Sequence, residues 1–254
     1  MFLGFLSLFL LVFWFGCKDI PRDNLLDPKN PESYRETVVL LEAFVNTENP
    51  YNYNELALEA LTALKNIYRN QLVIAEYHRN VPGYPDPLGK TIFETLYEKY
   101  VNYFDPATRG VPDIFVNGTI GRIQGASSTT SVVARLDTLI AELVKERNYF
   151  TLEPADIQIS SSALNATCKI ARLGSEAAEE ILLKIILLRQ VDNQFLQHVV
   201  IDFKKSVTIP RIEAGEIVVQ KFENIPLTDI PTQIVFSLTS ADEFTVYQSI
   251  KVDL

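Results

Sequence analysis

The chain has 254 residues, nearly half of them apolar, a formal net charge of −9, two cysteines and two histidines. The acidic excess is spread over both halves, which excludes the concentrated basic face that nucleic-acid binding needs. Cys17, Cys168, His78 and His198 form no C-x-x-C pair and no cluster of zinc-ligand spacing, so no metal centre is expected.

The chain opens on an apolar and aromatic run over residues 2–16. At about 15 residues it falls short of the ~20 that span a bilayer as a helix and has the length of a signal-peptide core. It stops at Gly16-Cys17, followed by Lys18-Asp19. A small residue directly before a cysteine at the end of such a run resembles the lipobox of bacterial lipoproteins, although Trp14 and Phe15 stand where leucine and a small residue are usual. The resemblance implies that residues 1–17 are a signal ending at Cys17, that Cys17 carries the lipid, and that the protein sits in the bacterial envelope as an outer-membrane lipoprotein. Residues 18–35 are rich in Pro, Asn and Asp with little periodicity, and are read as a flexible tether. The segment Asp23-Asn-Leu-Leu-Asp-Pro-Lys-Asn-Pro31 resembles the tether of surface lipoproteins of Gram-negative bacteria.

Residues 37–45 form a short apolar run suited to a strand covered on both faces. The loop Asn46-Thr-Glu-Asn-Pro-Tyr-Asn52 is dense in turn formers. From Tyr53 the spacing becomes helical, with Leu56, Ala60, Leu64 and Ile67 on one face and Asn52 or Asn54 placed to cap the start. A strand that delivers a loop to a helix N-terminus presents free N–H groups and a positive dipole end. Residues 71–77 read as a second buried strand, parallel to the first through a right-handed crossover. Residues 91–104 predict a second helix. Pro112 opens a strand that turns at Asn117-Gly118, the strongest short hairpin signal, and returns over 120–124. Residues 130–147 predict a closing helix.

The order β-α-β-α-β-β-α over residues 36–149 resembles the thioredoxin-like fold, and its most specific piece is Gly110-Val111-Pro112-Asp113-Ile-Phe-Val-Asn117-Gly118. The resemblance implies that Pro112 is cis, faces the family's redox motif and leaves a backbone edge for an extended peptide. It also places Asn49 and Asn52 at the two redox-cysteine positions. Disulfide exchange needs a thiolate, and no cysteine lies between Lys18 and Thr167, so dithiol chemistry is excluded at this loop. Glu42, Glu48 and Glu55 near the loop are carboxylates of the kind that serve acid–base chemistry, but acidic residues at a helix start also simply complement its dipole. There is no G-x-S-x-G, no H-E-x-x-H, no phosphate-binding glycine loop and no dinucleotide fingerprint, so neither an enzyme nor a bound cofactor is expected.

Beyond residue 149 the texture changes to short β-rich runs at 156–160, 163–172, 181–190, 196–203, 206–209, 216–222, 233–238 and 244–252. This predicts an all-β sandwich over residues 150–254, resembling immunoglobulin and fibronectin modules. Cys168, mid-strand, reads as a small buried hydrophobe. The expectation is an α/β thioredoxin-like domain followed by an all-β sandwich, anchored to a membrane by its lipid. The leading function is a redox-inactive binding or scaffold protein with a peptide groove at Asn49, Tyr51, Asn52, Val111 and Pro112, its partner a peptide or envelope protein. The alternatives are an enzyme related to thiol–disulfide oxidoreductases with unusual chemistry, and a purely structural part of an outer-membrane assembly.

Overall fold

A computed structural model describes residues 22–191 and 196–254, apart from the side chains at 204 and 205. The apolar run and the lipidation site Cys17 lie outside the described residues. The described chain is mostly β, with three α-helices. After a two-residue strand β1 (Arg35–Glu36) come β2 (Val39–Val45), α1 (Tyr53–Tyr68), β3 (Leu72–His78), α2 (Thr91–Phe104), β4 (Asp113–Val116), β5 (Gly121–Gln124) and α3 (Thr129–Leu143). The predicted order is thus the observed one. β2 and β3 are parallel, and β4 and β5 form an antiparallel hairpin on β2. Asn117 and Gly118 both take positive φ, the left-handed backbone that a tight two-residue turn requires. α3 starts where Ser128 accepts a hydrogen bond from Ser131 N–H at 3.1 Å. It ends before 147, because Arg147–Asn148 (β6) pairs with β1 instead.

The second half comprises β7 (Phe150–Ile159), β8 (Ala163–Arg172), β9 (Ala178–Arg189), β10 (Val199–Ile212), β11 (Ile217–Pro226), β12 (Gln233–Thr239) and β13 (Val246–Asp253). Two expectations change here. The runs 196–203 and 206–209 are one strand, β10, whose register shifts between Val200 and Asp202 and between Lys204 and Val207 let it continue past its polar break. The sandwich is also not closed on itself. One of its layers is the three-stranded sheet β11-β8-β7, but the other belongs to an eight-stranded sheet of order β13-β12-β9-β10-β3-β2-β4-β5. That sheet runs through the 149/150 boundary by a parallel pairing of Val199 with Glu76. A second join links Asn117–Thr119 to Phe244–Val246, where Thr119 N–H donates to Phe244 O at 2.7 Å and Val246 N–H to Asn117 O at 3.2 Å. A Cβ on Gly118 would lie 2.3 Å from Phe244 O, so this approach requires glycine.

The eight-stranded sheet has two buried faces. One carries Val39, Leu41, Val45 and Ile74 under α1 and α3, then Ile181, Leu183, Ile185 and Leu187 under the three-stranded sheet. The other carries Leu40, Phe44, Tyr77 and Phe115 under the aromatic side of α2, with Ile186, Leu188, Val200 and Val235 from the second half in the same core. The run of apolar residues from Ile185 to Leu188 in β9, all buried, fits its central place, covered on both faces. Pro154 is tolerated in β7 because β7 is an edge strand.

The described part of the predicted flexible tether is docked. Asn24, Asp27 and Asn30 side chains each accept from the N–H two residues on, giving a chain of Asx turns. Ser33 is buried, donates to Leu25 O and accepts from Gly174 N–H at 2.8 Å, and Leu26 O abuts Gly215. Turn-forming residues without periodicity look the same in sequence whether they are loose or seated against glycines far along the chain.

Candidate functional site

The parallel strands β2 and β3 end side by side at Val45 and His78. The chain leaves them through two loops, 46–52 and 79–90, and the open end of a parallel pair is where α/β folds place ligands. Asn46 is fully buried and ties the loops together. Its Nδ2 donates to Arg79 O and Tyr84 O, both at 2.7 Å, and its backbone N–H donates to Asn54 Oδ1 at 3.1 Å. Thr47 donates through its N–H and its hydroxyl to Asp86 Oδ2, at 2.9 and 3.2 Å. The same oxygen meets His78 Nδ1 at 3.0 Å, and Leu88 N–H reaches Asp86 Oδ1 at 2.9 Å. Burial raises the Asp86 pKa, but the bonds from His78 and the backbone outweigh it and hold the carboxyl below its ordinary value.

Between these loops and the start of α1 lies a cleft of about 490 Å³, lined by Asn46, Thr47, Asn49, Pro50, Tyr51, Asn52, Asn54, Glu55, Leu58 and Leu196. Its lining is polar but carries a single charged residue, Glu55. Neither expected cap acts. Asn52 occupies the N-cap position without a side-chain bond, and the Asn54 oxygen is engaged by Asn46. Two lining side chains leave buried amide atoms without partners: Asn46 Oδ1, an acceptor, and Asn54 Nδ2, a donor. Tyr51 and Tyr53 are exposed at the lip and stack on one another, centroids 5.6 Å apart and planes 19° apart.

Asn49, Tyr51 and Asn52 therefore share one cleft. Val111 and Pro112 are not among its lining residues, and among the described residues no hydrogen bond joins them to it. The Val111–Pro112 peptide is cis. It is framed from the other face of the sheet. The Tyr97 hydroxyl lies 3.0 Å from both Gly110 O and Asp113 Oδ2, and Gly110 N–H donates back to it at 2.9 Å. Arg122 grips buried Asp113 with three bonds, Nε to Oδ1 at 2.9 Å and to Oδ2 at 3.2 Å, and Nη2 to Oδ2 at 2.6 Å. Arg79 lies 3.4 Å over the Tyr97 ring and pairs with Glu94 at 2.6 Å. Among the described residues, no hydrogen bond reaches the backbone of Val111.

The three candidate carboxylates do not converge. Glu42 is buried on the α2 face, accepting from Tyr77 and Tyr100 hydroxyls at 3.1 and 2.7 Å, while Glu48 and Glu55 are exposed. Cys168 is buried in β8, and burial pushes its thiol up to about 12. No group of three metal-ligating side chains occurs among the described residues. Sequence reading missed Asp86, His78 and Leu196 as parts of this end of the sheet. Their chain separation from the loop leaves no local signal.

No family model and no curated protein matches the chain. Among solved structures, protein AGR_C_4864 from Agrobacterium tumefaciens superimposes with a TM-score of 0.56 at 16% identity, over 86% of this chain and 95% of its own. HBP35 of Porphyromonas gingivalis does so with a TM-score of 0.60 at 12% identity, over 86% of this chain and 76% of its own. The class is thus a β-rich fold also found in bacterial proteins. At these identities the likeness concerns the fold alone.

Proposed function

We propose that this is a lipid-anchored, extracytoplasmic binding protein whose first half is a thioredoxin-like domain without redox chemistry. One observation carries the reading. The cleft at the β2–α1 junction presents the carboxamides of Asn49 and Asn52 where dithiol exchange needs sulfur, and the one described cysteine is buried and held as a thiol. The element order and the Gly110–Gly118 segment support the fold part. The Gly16-Cys17 junction supports the anchor and an outer-membrane place. The unpaired backbone of Val111 leaves an edge for an extended peptide of an envelope partner.

The test labels intact cells with a clickable fatty acid, comparing the natural chain with Cys17→Ser, and assays the full-length protein for insulin reduction. Labelling that vanishes in Cys17→Ser, with insulin reduction at background, is the expected result. Labelling that persists in Cys17→Ser, or reduction above background, overturns the reading.

A further inference from the structure

The two larger sheets end in four edge strands, β13 and β5 on one, β11 and β7 on the other. An open edge is a row of unpaired N–H and C=O groups, and folded proteins ordinarily blunt it. Among the described residues three of these edges are blunted. On β5, Arg135 donates to Gln124 O and Gly125 O at 3.2 and 2.7 Å. On β13, Asn148 donates to Tyr247 O, and Ser249 N–H is taken by Gln248 Oε1 at 3.2 Å. On β7, Phe150 N–H is taken by Asn148 Oδ1 at 2.8 Å, and Pro154 has no N–H to offer.

β11 is left open over residues 217–221. Arg172 N–H donates to Glu216 O at 3.0 Å, so the backbone of Glu216 faces β8. Antiparallel pairing alternates, so Val218 and Gln220 face β8 as well, while Ile217, Val219 and Lys221 turn their N–H and C=O groups away from the sheet. Among the described residues the only bond to these outward groups comes from Gln220 Nε2, at 3.0 Å to Lys221 O, which keeps a second lone pair. The side chains alternate too. Val218 and Phe222 pack into the second-half core, whereas Ile217 and Val219 are 48% and 52% exposed and Lys221 is exposed. Beside Val219 on the outer face, Lys169 is neutralised by Glu153 at 3.0 Å. A bulge between Phe222 and Ile225, with Asn224 at φ 53°, bends the strand just beyond this stretch, and Pro226 ends it.

We infer that β11 is the contact edge of a twofold dimer, pairing antiparallel with β11 of a second copy about an axis at Val219. The open stretch is its own complement. With the axis at Val219, that residue faces its twin, Ile217 faces the partner's Lys221 and Lys221 faces the partner's Ile217, so every outward N–H meets a C=O. The exposed aliphatic side chains of both copies then form one row, with lysine stems at its two ends and no like charges directly opposed. Other axes fit worse. One at Lys221 would oppose two lysines and run into the bulge. One at Ile217 would set Val219 against Gly215, whose N–H is already held by Arg172 O at 2.9 Å. So short an edge makes a small interface, and the dimer is a weak one.

The test is sedimentation and disulfide trapping of the full-length protein in detergent, with the natural chain as the baseline for Cys17 and Cys168. The natural chain is expected to dimerise reversibly as its concentration rises toward about 1 mM. Val219→Pro removes the N–H at the axis, which β8 does not use, and is expected to weaken dimerisation about tenfold. Val219→Lys opposes two charges at the axis, acts in the same direction, and decides the matter if the proline variant does not fold. Val219→Cys is expected to cross-link on mild oxidation, since hydrogen-bonded antiparallel twins stand about 5.5 Å apart at Cα. Lys221→Cys alone is expected not to, because its two copies would stand about 13 Å apart, but mixing it with Ile217→Cys restores the cross-link. A natural chain that stays monomeric throughout overturns the dimer. A dimer that Val219→Pro and Val219→Lys both leave intact overturns the edge. Cross-linking of Lys221→Cys alone as fast as of Val219→Cys overturns the axis.

Discussion

The two faces of the central sheet treat their buried polar groups differently. On the α2 face, Glu42 accepts from two phenols, and Asp113 is held by Arg122 and Tyr97. Among the described residues only Glu94 Oε1 lacks a partner there, and its other oxygen grips Arg79. On the α1 face, Asn46 Oδ1, Asn54 Nδ2 and His78 Nε2 have none. Glu76 receives a single N–H, from His198 at 3.3 Å, and burial raises its carboxyl to about 8. A buried polar atom without a partner costs about 1–3 kcal/mol. The α2 face is thus a satisfied scaffold, while the face that leaves such atoms open is the one that carries the cleft.

Arg122→Leu attacks the satisfied face and has the largest expected effect. It strips the fork from a buried carboxylate, which costs about 3–5 kcal/mol, read as a lowered denaturation midpoint. A loss below about 1 kcal/mol would mean that the α2 face is no better matched than the other.

Glu76 gives the next effect, and its sign follows from proton counting. The folded chain keeps the Glu76 proton up to about pH 8, whereas the unfolded chain releases it near its ordinary 4.5. The folded state therefore binds more protons in that window, and stability falls as pH rises through it. Burial pushes His198 down to about 4, which acts in the opposite sense only below its ordinary 6.5. Between pH 6.5 and 8 Glu76 dominates, with an expected loss of roughly 2 kcal/mol. Denaturation of Glu76→Gln at both pH values should show that loss removed. An unchanged slope would mean that Glu76 is better solvated or partnered than its surroundings indicate.

The smallest effect is the sharpest contrast. Tyr51→Ala should change stability by less than about 0.5 kcal/mol, since its ring is exposed and supports nothing beneath it. A substantial destabilisation would make the tyrosine pair part of the scaffold and remove the distinction between the faces at this point.

The cleft loop was legible in sequence as a turn-rich strand-to-helix junction, and Asn49, Tyr51 and Asn52 do line its cleft. Val111 and Pro112 were grouped with them by resemblance but lie outside that lining, because the Gly110–Asp113 turn is drawn toward Tyr97, Arg79 and Arg122. Within the predicted tether, residues 24–33 are held by Asx turns and by Gly174, a contact that turn-forming composition does not reveal.

The sequence by itself determined what is local. Helical periodicity gives α2 its bounds, Asn117-Gly118 its hairpin and the strand–helix–strand run its parallel pair. The missing thiols of the loop are equally a matter of composition. Only the tertiary structure decided that β10 extends the sheet of the first half, that Leu196 walls the cleft, and that Glu76 meets His198 while Thr47 and His78 share Asp86. Such contacts arise when surfaces from separate parts of the chain are buried together, and spacing along the chain does not encode that event.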